Sequence, residues 1–122
     1  MKDQVVPADP LQPGVDCTDD CPVRLASEIF SAKWTTLIVR ELLGGTRRYS
    51  ELQYALLGVS PKVLAARLRM LEGAGLITRK VYACVPPKTE YSLTPLGQEM
   101  EQVIRAMADF GVKLAARALP VS

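Results

Sequence analysis

Apolar residues recur at intervals of three and four along most of the chain, the spacing that makes one face of an α-helix apolar. Pro22 and Pro61 suit the first turn of a helix, while Gly44 and Gly75 suit the position that ends one. The pattern predicts five helices, over about 22–30, 33–43, 50–56, 60–74 and 95–117. Ser50 is the predicted N-cap of the third helix and Ser60 that of the fourth.

Two stretches after the fourth helix follow a different pattern. Residues 76–82 are rich in strand-forming side chains, and residues 88–93 alternate polar and apolar positions. Pro86 and Pro87 cannot belong to a central strand, so residues 83–87 form a loop between the two. The pair therefore predicts a β-hairpin.

The order of these elements predicts the fold. In a winged helix-turn-helix, two helices are joined by a tight turn and a hairpin follows the second helix. The predicted elements have this order, with a glycine in the turn and basic residues in the hairpin. We expect a mainly α domain over 21–118 with a small β-hairpin wing over about 76–93. The recognition helix is expected over about 60–74. Residues 1–20 show no periodicity and are predicted to be a flexible N-terminal arm.

Composition argues against an enzyme. The chain of 122 residues has no histidine, the commonest general base and transition-metal ligand. It also lacks a glycine-rich phosphate loop, a nucleophile elbow and a paired-carboxylate motif. We expect no catalytic residue, no cofactor and no metal site. Because the N-terminus has no long apolar run, we also expect a cytoplasmic protein without a membrane partner.

Positive charge is concentrated in the middle of the chain. Residues 31–94 hold ten basic and four acidic side chains, although the whole chain carries a net charge of only +2. A local excess of this kind indicates a polyanionic partner, here double-stranded DNA.

The fourth helix fits the major groove because Leu64, Leu68 and Leu71 mark one apolar face and leave small and basic residues on the other. Basic residues flanking the hairpin loop and preceding the third helix would contact backbone phosphates. The predicted DNA-binding residues are Arg47, Arg48, Tyr49, Ser60, Pro61, Lys62, Ala65, Ala66, Arg69, Arg79 and Lys88, with Lys80 beside the last two.

Several short motifs carry a family resemblance. Cys21-Pro22-Val23, Lys33-Trp34, Arg48-Tyr49-Ser50-Glu51-Leu52, Ser60-Pro61-Lys62-Val63-Leu64 and the run from Pro86 to Thr94 occur in order over about 21–112. In these motifs the chain resembles the HxlR-type transcriptional regulators. The resemblance implies a homodimeric transcription factor whose terminal helices form the dimer interface. It also implies a pseudo-palindromic operator that is read by two recognition helices.

The last helix agrees with a dimer, since it carries more apolar residues than one small core should absorb. The predicted dimer-interface residues are Met100, Val103, Ile104, Met107 and Phe110. The alternative function is an effector-binding or protein-interaction module that keeps the winged-helix scaffold without recognising an operator.

The regulator is expected to respond to a small-molecule effector or to cysteine oxidation, and three cysteines offer the second of these. Cys21 occupies the Cys-Pro position that some members of the resembled family use to sense oxidants, and a helix start favours a thiolate there. Cys17 is the candidate resolving thiol, although the acidic residues beside it disfavour a thiolate, and Cys84 in the wing loop is a third candidate. The competing interpretation is that Cys21 is a small buried hydrophobe. Trp34, the single tryptophan, is expected to be a core residue rather than a ligand-stacking group.

Overall fold

A computed structural model describes residues 21–117, and the chain divides into two compact units between Lys33 and Trp34. The predicted N-terminal arm over 1–20, and Cys17 within it, lie outside the described residues. In the first unit helix α1 spans Pro22–Phe30, as predicted. Cys21 is its N-cap residue, and the Cys21 carbonyl accepts the first helical hydrogen bond from the Leu25 N–H at 2.9 Å.

The second unit holds the helix-turn-helix and the sheet. Its elements in chain order are α2 Thr35–Leu43, β1 Arg47–Arg48, α3 Tyr49–Ala55, α4 Pro61–Gly73, β2 Ile77–Tyr82, β3 Lys88–Leu93, α5 Pro95–Gln98 and α6 Met100–Arg117. The turn between α3 and α4 and the hairpin directly after α4 form the predicted winged helix-turn-helix. Within the described residues no helix is long and apolar enough to cross a bilayer.

The core of this unit is built by the apolar stripes of the helices. Leu64, Leu68 and Leu71 of α4 are at most 1% exposed, which confirms the predicted buried face of that helix. Ile38 and Leu52 bring the buried faces of α2 and α3 to the same core. Trp34 is half-buried at the N-cap position of α2, so it is only partly a core residue.

The sheet has three strands rather than the two of the predicted hairpin. Strand β1 pairs antiparallel with β3, which places β3 between β1 and β2. Arg48 lies opposite Glu90 in this pairing, and the Thr46 and Ser92 hydroxyls are 2.7 Å apart beside it. A strand of two residues is too short to show an alternating pattern, so only the tertiary pairing reveals it.

The long helix predicted over 95–117 is divided at Glu99 into α5 and α6. The Thr94 hydroxyl donates to the Gly75 carbonyl at 2.7 Å, and the Thr94 N–H donates to the Leu76 carbonyl at 3.0 Å. These bonds tie α5 to the start of β2. The Glu99 N–H then bonds to the Leu96 carbonyl three residues back, a 3₁₀-type bond that tightens the chain before α6 begins.

The predicted N-cap of α3 was also wrong. The helix begins at Tyr49, one residue before Ser50, because the Glu51 carboxylate accepts the Arg48 N–H at 2.8 Å and satisfies that end of the helix. For α4 the prediction is confirmed, since the Ser60 hydroxyl accepts the Val63 N–H at 3.1 Å.

Candidate nucleic-acid interface

Helix α4 presents one continuous surface opposite its buried leucines. Lys62 and Arg69 are exposed on this surface, and Ala65 and Ala66 lie half-buried between them. The four residues recur at intervals of three and four, so they share one face of the helix. Small residues flanked by two cations leave room for the helix backbone to approach a polyanion closely.

Tyr49 links the two helices of the helix-turn-helix. Its hydroxyl donates to the Pro61 carbonyl at 3.0 Å, which connects the first turn of α3 to the first turn of α4. A phosphate contact was predicted for Tyr49. In the protein alone its hydroxyl proton is used in this internal hydrogen bond, which fixes the start of α4, and the phosphate contact stays a prediction.

Arg47 and Arg48 differ in position although they are neighbours in sequence. Arg48 is exposed. The Arg47 guanidinium lies against the end of α2, since a Cβ placed on Gly44 would be 2.7 Å from its Nη2 atom. A cation there complements the negative end of the helix dipole. Arg48 is therefore the better placed of the two for an external phosphate.

Arg79 lies on the face of the hairpin that packs on the helices. It pairs across the sheet with Tyr91, a core residue, and its Nε atom is 3.7 Å from the Glu72 carboxylate of α4. Burial raises the pKa of the Tyr91 hydroxyl, and the positive charge of Arg79 opposes that rise. Arg79 thus lies at the base of the hairpin next to α4, and the neighbouring Glu72 carboxylate partly neutralises its charge.

The opposite face of the hairpin is basic. Lys80 and Lys88 lie on this outer face, together with Tyr82 and Glu90, because direct cross-strand partners share a face. Arg48 joins them, since it pairs with Glu90 from the other side. The outer face therefore carries three cations around one carboxylate, which leaves an excess of positive charge.

Two residues of the outer hairpin face, Tyr82 and Glu90, were not predicted, and neither was Arg67 of α4, which lies beside the outward face of that helix. Arg67 on α4 is half-buried, and its Nε atom has no hydrogen-bond partner within the described part of the chain. Tyr82 and Glu90 hold the outer face of the hairpin together. The charge of Arg67 was visible in the sequence, whereas the roles of Tyr82 and Glu90 depend on a strand register that the sequence does not specify.

The two described cysteines lie in different environments. Cys21 is half-buried at the start of α1, and Cys84 is exposed in the wing loop, where its thiol donates to the Pro86 carbonyl at 3.2 Å. A cleft of about 620 Å³ separates this loop from the residues that begin α3. No group of three Cys, Asp or Glu side chains within residues 21–117 is arranged to hold a metal ion.

Comparison with known proteins decides the family. A sequence model described as HxlR-like helix-turn-helix matches residues 29–118. The chain belongs to the HxlR-like helix-turn-helix family. This membership makes it a transcriptional regulator of the helix-turn-helix type, in agreement with the motifs that carried the resemblance.

Individual relatives agree with the family. The chain is 39% identical over 107 residues to an HTH-type transcriptional regulator of Escherichia coli, YtfH, and the match covers 88% of this chain and 85% of that one. A MarR-family regulator from Porphyromonas gingivalis superposes with a TM-score of 0.75 at 45% identity, over 78% of this chain and 93% of that one. The redox regulator HypR in its oxidised form superposes with a TM-score of 0.71 at 32% identity, over 76% and 96%. These similarities confirm the winged-helix fold.

Proposed function

We propose that this HxlR-like regulator binds DNA sequence-specifically as a homodimer on a pseudo-palindromic operator. The observation that carries the proposal is the surface of α4, where Lys62 and Arg69 flank two alanines opposite a fully buried leucine face. The first residues of the helix enter the major groove, and Lys62 contacts a guanine edge or a phosphate there. Arg69, two turns later, contacts the backbone at the rim of the groove.

Helix α6 supports the homodimer. Val103, Met107, Phe110 and Leu114 are exposed and recur at intervals of four, three and four. This is the spacing of the apolar seam between two paired helices. Met100 is buried in its own chain and Ile104 is half-buried, so these two residues of the predicted interface contribute less than the other three. A dimer formed through α6 would read half-sites whose centres lie about 10 bp apart, or a multiple of that.

An oxidant that acts on Cys21 is the proposed regulator of this binding. The similarity to HypR, a redox regulator, supports the hypothesis. Cys21 is half-buried at the N-cap of α1, where the positive end of the helix dipole favours a thiolate. Cys17, the candidate resolving thiol, lies four residues earlier in the sequence.

The test is a fluorescence anisotropy titration with DNA from upstream of the protein's own gene, over a series of salt concentrations. With three or four phosphate contacts per subunit, we expect log affinity to fall with log salt at a slope of about −5 to −7. Lys62→Gln/Arg69→Gln should abolish specific binding. Arg105→Gln/Lys113→Gln removes two exposed charges from α6 that lie off its apolar stripe and is the matched control.

A second arm repeats the titration after mild thiol oxidation, with Cys21→Ser and Cys84→Ser. Suppose that oxidation abolishes DNA binding by the wild type and by Cys84→Ser but not by Cys21→Ser. This result would support regulation through Cys21. Binding that ignores the oxidant would contradict that regulation and leave the DNA-binding proposal standing. A wild-type protein that binds no DNA at any salt concentration would contradict the proposed function and favour the interaction-module alternative.

A further inference from the structure

The outer face of the wing carries a lysine pair with an organised support. Tyr82 and Lys88 are direct cross-strand partners, and so are Lys80 and Glu90, two residues further from the loop. All four side chains therefore project from the same face of the hairpin. The Tyr82–Lys88 pair is the last before the wing loop, so this group occupies the outer half of the wing.

Both ammonium groups lie over one aromatic ring. The Lys80 Nζ atom is 5.0 Å and the Lys88 Nζ atom 4.7 Å from the centroid of the Tyr82 ring. These distances are within the range of a cation–π interaction. Two cations on adjacent strands repel each other, and the negative face of the ring offsets part of that repulsion.

The ring is itself held in place. The Tyr82 hydroxyl donates to the Glu90 Oε1 atom at 2.9 Å, and this hydrogen bond is partly buried. Glu90 lies in the central strand β3, paired with Arg48 on one side and Lys80 on the other. The carboxylate thus orients the ring, and the ring orients the two lysines.

We infer that Tyr82 and Glu90 are positioning residues, which hold Lys80 and Lys88 in one arrangement for contact with the phosphates of the DNA backbone. The inference rests on the proposed DNA-binding function. A lysine side chain loses much rotamer freedom when it contacts a fixed phosphate. A lysine restricted before binding loses less, and a cation–π interaction restricts it without neutralising its charge.

Removal of the ring should weaken DNA binding without changing the number of phosphates neutralised. For Tyr82→Leu we expect an affinity about three- to tenfold lower, since both lysines then lose more rotamer freedom when they contact phosphates. The salt slope should stay at the wild-type value. Lys80→Gln and Lys88→Gln should each make the slope shallower by about 0.9, because each removes one phosphate contact.

The remaining variants separate positioning from damage to the wing. Tyr82→Phe keeps the ring and should retain most of the affinity that Tyr82→Leu loses. Val81→Ala changes the neighbouring exposed residue on the other face of β2 and should bind as wild type. In the Lys80→Gln/Lys88→Gln background, Tyr82→Leu should cause no further loss, because its effect passes through the lysines.

Each outcome bears on the inference. Full affinity in Tyr82→Leu, alongside salt-dependent binding by the wild type, would overturn the positioning role and leave the proposed function intact. A further loss in the lysine-substituted background would overturn it too, since the ring would then act on DNA directly. If the wild type binds no DNA, both proposals fall.

NMR of the free protein tests the geometry directly. The Lys80 and Lys88 ε-methylene protons should show ring-current shifts that vanish in Tyr82→Leu. Absence of these shifts in the wild type would contradict the contact between the lysines and the ring.

Discussion

At the scale of single residues, the ion pair between Arg79 and Glu72 reduces the positive charge at the base of the wing. Their 3.7 Å separation joins the base of the hairpin to α4, and both side chains are about half exposed, at 48% and 40%. A surface ion pair of this kind contributes little to folding. We expect its larger effect to fall on DNA binding, because Glu72 would compete with a phosphate for Arg79 and would also repel DNA.

Glu72→Gln should therefore strengthen DNA binding. We expect an increase of about two- to fivefold in affinity at low salt, the range that corresponds to the loss of one surface ion pair. Fluorescence anisotropy titrations at several salt concentrations measure this change in DNA affinity. Glu101→Gln is the matched control, since Glu101 pairs with Arg105 on α6 at 2.8 Å, away from the proposed interface. An equal increase in both variants would show that only net charge matters and would contradict the role of the Arg79–Glu72 pair.

Helix α5 is a single turn whose position depends on close contact with the sheet. A Cβ placed on Gly97 would lie 2.0 Å from the Leu76 carbonyl oxygen, which is backbone and cannot move aside as a side chain can. The Thr94 hydroxyl, which donates to the Gly75 carbonyl, also accepts the Gly97 N–H at 3.0 Å. Gly75 has a φ of +79°, so the turn before β2 and the packing of α5 each depend on a glycine.

Gly97→Ala should destabilise the protein by about 2–3 kcal/mol, the cost of forcing an extra carbon into a packed position. Urea unfolding at one protein concentration measures the change. Gly73→Ala, the control, adds a Cβ in open space at the end of α4 and should be neutral or stabilising by at most about 1 kcal/mol. Equal stability in the two variants would contradict the close packing of α5 on Leu76.

At the scale of the whole molecule, the exposed stripe on α6 bears on the assembly. Phe110 is 63% exposed and Met107 46%, and both lie on the same stripe of α6 as the exposed Val103 and Leu114. Water contact on such a stripe is unfavourable by about 25 cal/mol for each Å² of apolar surface. Pairing with a second copy of the chain would remove this apolar surface from water.

Phe110→Glu should convert the protein to a monomer, because a buried unpaired carboxylate opposes association. Sedimentation velocity over a concentration series measures the mass. Leu57→Glu changes an apolar residue that is 83% exposed outside α6, and this variant should remain dimeric. A dimer that persists in Phe110→Glu would place the interface elsewhere, whereas a monomeric wild type would contradict the proposed homodimer itself.

The sequence by itself determined the order and type of the main elements. Leucines at intervals of four and three, a serine-proline start and a glycine stop defined α4, because these signals are local and act within a few residues. The hairpin followed from its prolines and its alternating pattern. The family motifs added the function class, since they preserve spacing across the whole domain.

Only the tertiary structure decided which of the predicted DNA-binding side chains have partners within the protein. It turned Arg47 onto the end of α2, paired Arg79 with Glu72, and joined Tyr49 to Pro61. It also added β1, divided the last helix at Glu99 and placed two lysines on Tyr82. The physical reason is common to all of them: each depends on strand register or on a contact between residues distant in sequence, and periodicity along the chain contains neither.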